Sequence, residues 1–199
     1  MIILLTGGSG CGKSHFAESI CMAHSMPRYY IASMQPFGSD GLQKIDKHRA
    51  MRGGKGFKTY ERYTDLEHLK IHGESGDDAD CSADAASSGM PDGKCGTALL
   101  ECICNLTANE MFDETGAESD PRRRVMAGVE VLERQCETVV IVTNDVGSDG
   151  DEYEESTRRY VEYIGDINRE LAERADVVIE MVCGIPIEIK GTVQMAMGR

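Results

Sequence analysis

The feature that most constrains this chain is a glycine-rich loop at residues 7–14, which follows a short apolar run and precedes an amphipathic segment. Its sequence, Gly-Gly-Ser-Gly-Cys-Gly-Lys-Ser, fits the phosphate-binding pattern G-x-x-x-x-G-K-S/T. Glycines allow successive backbone N–H groups to curl around phosphate oxygens, and the N-terminus of the following helix adds partial positive charge. Lys13 is expected to reach the outer phosphates, and the Ser14 hydroxyl is expected to ligate Mg²⁺. The pattern predicts a P-loop nucleotide-binding fold.

Short β-rich runs alternate with helical patterns along the whole chain. At 199 residues the chain is long enough for one well-filled domain, and we expect a single nucleotide-binding domain over residues 1–199. The alternation predicts an α/β fold of the P-loop NTPase type, with a mostly parallel central sheet and helices on both faces. The predicted strands are Ile2–Thr6, Tyr29–Ser33, Phe57–Glu61, Ala98–Ile103, Val139–Thr143 and Val177–Val182.

Three apolar stripes at helical spacing are suited to cover this sheet. The second stripe begins with Asp120 as N-cap and Pro121 in the first turn, which is a common start for a helix. Near the end of the chain, Ile187 and Ile189 alternate with charged residues, which predicts an antiparallel edge strand. The stripes are Phe16, Ala17, Ile20 and Cys21; Val125, Val129, Leu132 and Cys136; and Tyr160, Ile164, Ile167 and Leu171.

Charge and cysteine content narrow the classes of function. The formal net charge of −13 argues against nonspecific binding to nucleic acid or to an anionic membrane. The N-terminus has no basic region and no long apolar stretch, so we expect neither secretion nor a membrane span, and a cytoplasmic location. The eight cysteines form no C-x-x-C pair, so their spacing supports neither a zinc site nor a disulfide framework, and reduced thiols are expected.

The tract from Gly73 to Gly96 differs in composition from the rest of the chain. It is rich in Gly, Ser, Ala and Asp, with six carboxylates against one lysine, and has almost no side chain to bury. Such a tract cannot offset the conformational entropy lost on ordering. We therefore interpret residues 73–97 as an acidic, low-complexity surface insertion within the domain, with a regulatory role as the alternative.

Two acidic residues stand at the ends of predicted strands. Glu101 ends the run Leu99-Leu100-Glu101, and Asp145 follows another strand in Thr143-Asn144-Asp145-Val146-Gly147. Ligands of open parallel sheets bind outside the carboxyl ends of the strands, where both acids would lie. A P-loop needs an acid on a neighbouring strand to support the metal, and Glu101 suits that task together with Ser14. Either acid could instead cap a helix.

A basic segment at residues 43–52 contains one histidine. Read as a helix, it places Lys44, His48 and Arg52 on one face, with Arg49 next to the histidine. Neighbouring cations should keep the His48 imidazole neutral near pH 7, and a neutral imidazole is a competent nucleophile toward phosphorus. The alternative is a solvated basic helix with an incidental histidine, and the spacing alone does not decide between the two.

Taken in order, these residues resemble the bifunctional adenosylcobinamide kinase / adenosylcobinamide-phosphate guanylyltransferase family over almost the whole length. A bare P-loop is shared by many families, but the ordered set of motifs is specific to this one. The matching motifs are Thr6–Ser14, Tyr30-Ile31-Ala32-Ser33, Ile45 with His48-Arg49, Thr59 with Glu61, Leu99-Leu100-Glu101-Cys102, Asn105, Thr143-Asn144-Asp145-Val146-Gly147, Gly165-Asp166-Ile167-Asn168, Cys183-Gly184-Ile185-Pro186 and Ile189-Lys190-Gly191.

The resemblance implies two reactions. ATP or GTP phosphorylates the hydroxyl of the aminopropanol arm of adenosylcobinamide; GTP then guanylylates a histidine, and adenosylcobinamide phosphate takes the GMP to give adenosylcobinamide-GDP. It also implies a homotrimer and His48 as the nucleophile. From the phosphate-loop pattern we expect Lys13 to be a second catalytic residue, and Ser14 and Glu101 to hold Mg²⁺. The implied nucleotide contacts are Gly7, Gly8, Ser9, Gly10, Cys11, Gly12, Lys13, Ser14, Ser33, Met34, Gln35, Arg49, Ala50, Met51, Arg52, Glu61 and Glu101.

Some positions depart from the family pattern, and two other classes of protein share part of it. Phe57 stands where tryptophan is usual, Asp145 where glutamate is usual, and Lys47 where some members carry a second histidine. A single-activity P-loop small-molecule kinase would keep the loop and Glu101 but leave His48 without a covalent role. A GTPase-like switch would usually carry N-K-x-D, which Asn144-Asp145-Val146-Gly147 does not match.

Overall fold

A seven-stranded sheet forms the centre of the molecule. The computed structural model describes residues 1–35, 54–71, 93–112, 120–147 and 153–199. Within these ranges the strand order is β3-β2-β4-β5-β1-β6-β7, and every neighbouring pair is parallel except β6 and β7. The strands are β1 (Ile2–Thr6), β2 (Arg28–Ala32), β3 (Phe57–Glu61), β4 (Thr97–Glu101), β5 (Thr138–Val142), β6 (Val177–Val182) and β7 (Ile185–Lys190).

The helices cover both faces of this sheet. Along the sheet, the chain moves from β1 to β2 in one direction, and from β4 to β5 and from β5 to β6 in the opposite direction. Because such crossovers are right-handed, α1 lies on one face of the sheet and the helices of the other two connections lie on the opposite face. On the opposite face α2, α3 and α4 pack against one another. The helices are α1 (Lys13–Ala23), α2 (Ile103–Phe112), α3 (Pro121–Gln135), α4 (Glu155–Arg174) and α5 (Val193–Ala196), with one 3₁₀ turn at Leu66–His68.

The hydrophobic core lies between the sheet and the helices that cover its two faces. All five residues of β5 are buried, as are the first four of β1, because helices cover both sides of these central strands. The three predicted stripes fall on α1, α3 and α4 and supply buried residues to the same core. Asp120 caps α3 by accepting a hydrogen bond from the Arg122 N–H at 3.1 Å, with Pro121 in the first turn. The predicted α/β fold with a mostly parallel sheet is confirmed.

The edges of the sheet also match the sequence pattern. β7 pairs antiparallel with β6, with Ile187 opposite Glu180, so the predicted antiparallel edge strand is confirmed. Its apolar side chains remain largely outside the core, since Ile185 is 61% exposed and Ile189 is 60% exposed. β3 forms the other edge.

Three predicted strands differ from the structure in their boundaries. The strand predicted at Ala98–Ile103 ends at Glu101, because Ile103 already opens α2, a helix that the sequence pattern did not indicate. The strands predicted at Tyr29–Ser33 and Val139–Thr143 each begin and end one residue earlier. Residues 72–92, which make up most of the predicted insertion at 73–97, lie outside the described residues.

The cysteines depart from expectation at one position. Cys95 is disulfide-bonded, so the expectation of reduced thiols is wrong there. A search for close C-x-x-C pairs cannot find a bond that depends only on proximity in space. The free thiols of the described residues are Cys11, Cys21, Cys102, Cys104, Cys136 and Cys183.

No helix in the described ranges is long and apolar enough to cross a membrane.

Candidate active site

The glycine-rich loop connects β1 to α1 at the carboxyl edge of the sheet. Gly12 caps α1 with φ 98°, and Gly7 leaves β1 with φ 134°. Both values lie in the region that side chains rarely adopt. A Cβ on Gly7 would stand 2.5 Å from the Met181 carbonyl oxygen, so the loop passes directly against β6. The predicted strand–loop–helix arrangement is present.

Lys13 lies inside this loop. Its side chain is buried, and its Nζ donates to the Gly7 carbonyl at 2.8 Å and to the Gly8 carbonyl at 2.6 Å. The Cys11 sulfur is 3.6 Å from the same nitrogen. The ammonium group is therefore fixed among the backbone groups of the loop, at the N-terminal end of α1, where positive charge suits a phosphate.

Glu101 connects the loop to the neighbouring strands. The Ser14 hydroxyl donates to its Oε1, and the Tyr30 hydroxyl donates to its Oε2 at 2.9 Å. A hydroxyl that donates its proton to a carboxylate keeps its lone pairs for a cation, and hydroxyl and carboxylate oxygens are ligands that suit Mg²⁺. The donor set of Ser14 and Glu101 therefore fits the metal that the sequence predicts.

Ser33 ties the ends of β2 and β4 together. Its hydroxyl oxygen accepts from the Cys102 N–H at 2.8 Å and lies 2.9 Å from the carbonyl oxygens of both Glu101 and Cys102. Its own N–H donates to the Glu101 carbonyl at 3.1 Å. Ser33 is fully buried, whereas Met34 and Gln35, which follow it, are half-buried. The side chain of Ser33, a predicted nucleotide contact, is therefore hydrogen-bonded within the protein.

Asn109 was not found by sequence reasoning, although it holds two strand ends together. From α2 its amide donates to the Ser33 carbonyl at 2.8 Å and to the Tyr63 carbonyl at 2.9 Å. It thereby fixes the chain just after β2 relative to the chain just after β3. Asn109 could have been predicted as a polar residue on the sheet-facing side of α2, but only if the sequence had indicated that helix.

Glu61 lies on the same edge and the same face as Glu101. The register aligns Glu61 with Ala32 and Ala32 with Glu101, and residues in one such row point to one face. Neighbouring strands lie about 4.8 Å apart, so roughly 10 Å separates the two backbone positions. The Tyr63 hydroxyl donates to Glu61 Oε2 at 3.0 Å.

The loop after β5 approaches the P-loop from the other side. The Asp145 N–H donates to the Gly7 carbonyl at 3.3 Å, and the Asp145 residue is exposed. Asn168 on α4 holds this loop, because it accepts from the Thr143 hydroxyl at 2.7 Å and donates to the Asn144 carbonyl at 3.2 Å. The second predicted acid therefore lies beside the first glycine of the phosphate loop.

The turn between β6 and β7 also borders the phosphate loop. Cys183 and Gly184 both have positive φ, 50° and 83°, as in the tight two-residue hairpins of antiparallel strands. The Gly184 N–H donates to the Cys11 carbonyl at 3.1 Å. The hairpin thus supports the middle of the loop, a contact that sequence spacing did not indicate.

Two buried thiols lie behind Glu101. A hydrogen bond between them holds the pKa of Cys104 below its usual range, to about 6, and raises the pKa of Cys102. Contacts with the Asn144 backbone and with Thr143 lower the Cys104 value further, against the effect of burial. Both residues are less than 10% exposed, so this pair belongs to the packing at the start of α2.

The chain matches the family model of cobinamide kinase / cobinamide phosphate guanyltransferase over residues 3–82 and 79–189. It belongs to this family. The bifunctional adenosylcobalamin biosynthesis protein CobU of Escherichia coli is 30% identical over 202 residues, covering 96% of this chain and 100% of that one. The corresponding protein CobP of Pseudomonas aeruginosa is 26% identical over 188 residues, covering 94% of this chain and 96% of that one.

A solved structure agrees on the fold. An ATPase from the type III secretion system of pathogenic bacteria superposes with a TM-score of 0.50 at 17% identity. The match covers 98% of this chain and 60% of that longer chain, and at this identity the likeness concerns the fold alone. As a member of the cobinamide kinase / cobinamide phosphate guanyltransferase family, the chain is a transferase with a P-loop fold.

The remaining predicted site residues lie outside the described ranges. These ranges end at Gln35 and resume at Gly54. The predicted nucleophile His48 and the predicted nucleotide contacts that follow it fall between these limits, at Arg49, Ala50, Met51 and Arg52.

Proposed function

We propose that this chain phosphorylates adenosylcobinamide with ATP or GTP and then transfers GMP from GTP to adenosylcobinamide phosphate, giving adenosylcobinamide-GDP. The observation that carries the proposal is the contact of the Ser14 hydroxyl with Glu101 beneath a P-loop, in a chain of the cobinamide kinase / cobinamide phosphate guanyltransferase family. Both reactions need a nucleoside triphosphate held by its phosphates, which is the task of such a loop.

In this proposal the phosphate loop binds the triphosphate and stabilises the charge that develops during transfer. The N–H groups of residues 7–14 and the Lys13 ammonium contact phosphate oxygens, while Ser14 and Glu101 hold Mg²⁺. When bound, Mg²⁺ neutralises negative charge on the transferred phosphoryl group. The proposal assigns contacts with the rest of the nucleotide to Met34 and Gln35, which follow β2, and to Glu61, the last residue of β3.

Guanylyl transfer proceeds through His48 in two displacements. The imidazole nitrogen forms a bond to the α-phosphorus of GTP, and the bond to the bridging oxygen breaks, releasing pyrophosphate. A phosphate oxygen of adenosylcobinamide phosphate then attacks the same phosphorus and breaks the N–P bond, which returns a free histidine. Arg49 and Arg52 would neutralise the charge on the α-phosphate. The support for these residues is the family resemblance.

Self-association into a homotrimer is part of the proposal and has a candidate surface. Ile185, Ile187 and Ile189 alternate along the edge strand β7 and are 61%, 42% and 60% exposed. An exposed apolar row on an edge strand is a typical contact surface between chains.

We further propose a cytoplasmic location, where GTP and ATP are available.

The covalent GMP-histidine intermediate is the most specific part of the proposal, and mass spectrometry of the intact protein can detect it directly. The purified protein is incubated with Mg²⁺ and GTP, and its intact mass is recorded. We expect a gain of one GMP that is labile to acid and absent from His48→Ala. His68→Asn is the matched control, because the His68 side chain is 71% exposed and pairs only with nearby Asp65 in the described structure.

Absence of a GMP adduct from the wild-type protein would favour a different function. A wild-type protein that binds GTP but never gains the mass of GMP would exclude the histidine intermediate. The single-activity P-loop kinase would then be the better assignment, since it needs the loop and Glu101 but no nucleophile.

A further inference from the structure

Tyr30 is the second hydroxyl that contacts the carboxylate proposed to hold the metal. Its oxygen donates to Glu101 Oε2 at 2.9 Å, while Ser14 donates to Oε1. Tyr30 is only 4% exposed, and Glu101 is partly buried. A glutamate carboxylate turns easily about its last torsion, so hydrogen bonds from these two hydroxyls favour the orientation in which Oε1 faces Ser14.

The sheet explains how Tyr30 reaches this carboxylate. Tyr30 is in register with Leu99, and Glu101 lies two residues further along β4, so both side chains project from the same face. The ring of Phe57 packs edge-on against the Tyr30 ring, with centroids 6.4 Å apart and planes at 84°. This packing, together with burial, fixes the direction of the hydroxyl.

We propose that Tyr30 is a positioning residue for the metal-bound nucleotide, acting through Glu101 and making no contact with metal or substrate itself. The inference rests on the proposed metal site at Ser14 and Glu101. By occupying Oε2, the Tyr30 hydroxyl keeps Oε1 directed at Ser14 and disfavours carboxylate orientations that turn away from the loop. Partners that orient metal ligands in this way typically change metal affinity about 10–100-fold when removed.

The test measures metal binding, which is independent of turnover. Mn²⁺, which carboxylate sites accept in place of Mg²⁺, is titrated into the protein with a non-hydrolysable GTP analogue, and free Mn²⁺ is followed by its paramagnetic resonance signal. For Tyr30→Phe we expect the Kd for Mn²⁺ to rise about tenfold, at the lower end of the range for such partners. The affinity for the analogue in the presence of a chelator should stay unchanged.

Tyr60→Phe is the matched control. It removes a tyrosine hydroxyl that donates to the Ile71 carbonyl at 2.9 Å, and its side chain projects from the other face of the sheet. We expect this variant to bind Mn²⁺ like the wild type. Thermal melting of both variants checks that each folds, and Phe at either position keeps the ring that packs in the core.

A double-mutant cycle with Glu101→Gln separates positioning from general damage. If Tyr30 acts through Glu101, the effect of Tyr30→Phe on the Kd for Mn²⁺ disappears in the Glu101→Gln background. An effect that persists there, or a wild-type Kd in Tyr30→Phe itself, overturns the inference and leaves the metal site standing. A wild-type protein that binds the analogue but no Mn²⁺ overturns both the metal site and the inference.

Discussion

Replacing Gly7 with alanine tests whether the phosphate loop depends on close backbone contact with β6. Gly7 has φ 134°, and a Cβ built on it would lie 2.5 Å from the Met181 carbonyl oxygen and 3.2 Å from the Cys11 sulfur. The Met181 carbonyl is part of the backbone of β6, a strand that pairs with both β1 and β7, so it cannot move aside as a flexible side chain would. Alanine is therefore penalised both by its backbone conformation and by a clash.

The magnitude follows from three contributions. A side chain forced into an unfavourable backbone conformation costs about 1–3 kcal/mol. Overpacking against a fixed neighbour costs about 1–3 kcal/mol more. Alanine also restricts the unfolded chain, which stabilises the folded state by about 0.4–1 kcal/mol. For Gly7→Ala the sum is a loss of about 3 kcal/mol in the free energy of unfolding, from the middle of these ranges.

Two glycines of the same loop separate these contributions. Gly10 has φ 71° with no atom within 4 Å of an added Cβ, so only the conformational cost applies. For Gly10→Ala we expect a net loss of about 1 kcal/mol. Gly8 has an ordinary φ and open space, so Gly8→Ala should be stabilised by about 0.4–1 kcal/mol.

The assay is urea unfolding followed by circular dichroism, without nucleotide, for the wild type and the three variants. The expected order of stability is Gly8→Ala, wild type, Gly10→Ala and then Gly7→Ala. A Gly7→Ala protein that is as stable as Gly10→Ala would refute the reasoning, because the clash with Met181 would then carry no cost.

Two further variants test how the rest of the domain is held together. Arg124→Met removes the partner 2.9 Å from the buried Glu110 carboxylate, and urea unfolding should show a loss of about 3 kcal/mol. Burial raises the pKa of Glu110 and the Arg124 charge lowers it, so the variant takes up a proton at higher pH. Its destabilisation should therefore be largest at pH 8 and shrink as the pH falls through that raised pKa, whereas a loss that is constant with pH would contradict the assignment. Arg122→Met, which removes the exposed pair with Glu170, should stay close to wild-type stability. Asp120→Ala should cost about 1 kcal/mol in the same assay, since it removes the side-chain cap of α3, and an unchanged midpoint would show that the cap is dispensable.

The layers of the fold could be predicted because local patterns determine them. Strands such as Ile2–Thr6 and Val177–Val182 are buried on both faces and appear in the sequence as short apolar runs. The start of α2 could not be located, because apolar residues continue on both sides of Glu101 in Ala98–Ile103 and periodicity does not separate a buried strand from the helix that follows. The strand order depends on pairing between distant segments, which local patterns do not encode.

In the candidate site, too, contiguous motifs could be predicted and contacts between distant residues could not. The phosphate loop could be predicted because its function requires contiguous residues with fixed spacing. Glu101 was recognised as the acid at a strand end, but its contact with Tyr30 joins residues 71 apart. The contacts of Asn109 with the Ser33 and Tyr63 carbonyls join residues 76 and 46 apart, so they depend on the folded sheet.

The central claim is that one chain transfers two different parts of a nucleotide to the same substrate in sequence. The most direct test supplies GTP labelled either at the α-phosphate or at the γ-phosphate, together with adenosylcobinamide. We expect the γ-label to appear first, in adenosylcobinamide phosphate. The α-label should appear on the protein and then in adenosylcobinamide-GDP, and this transfer should be lost in His48→Ala. Transfer of the γ-label alone, with no α-label on the protein or the product, would contradict the account.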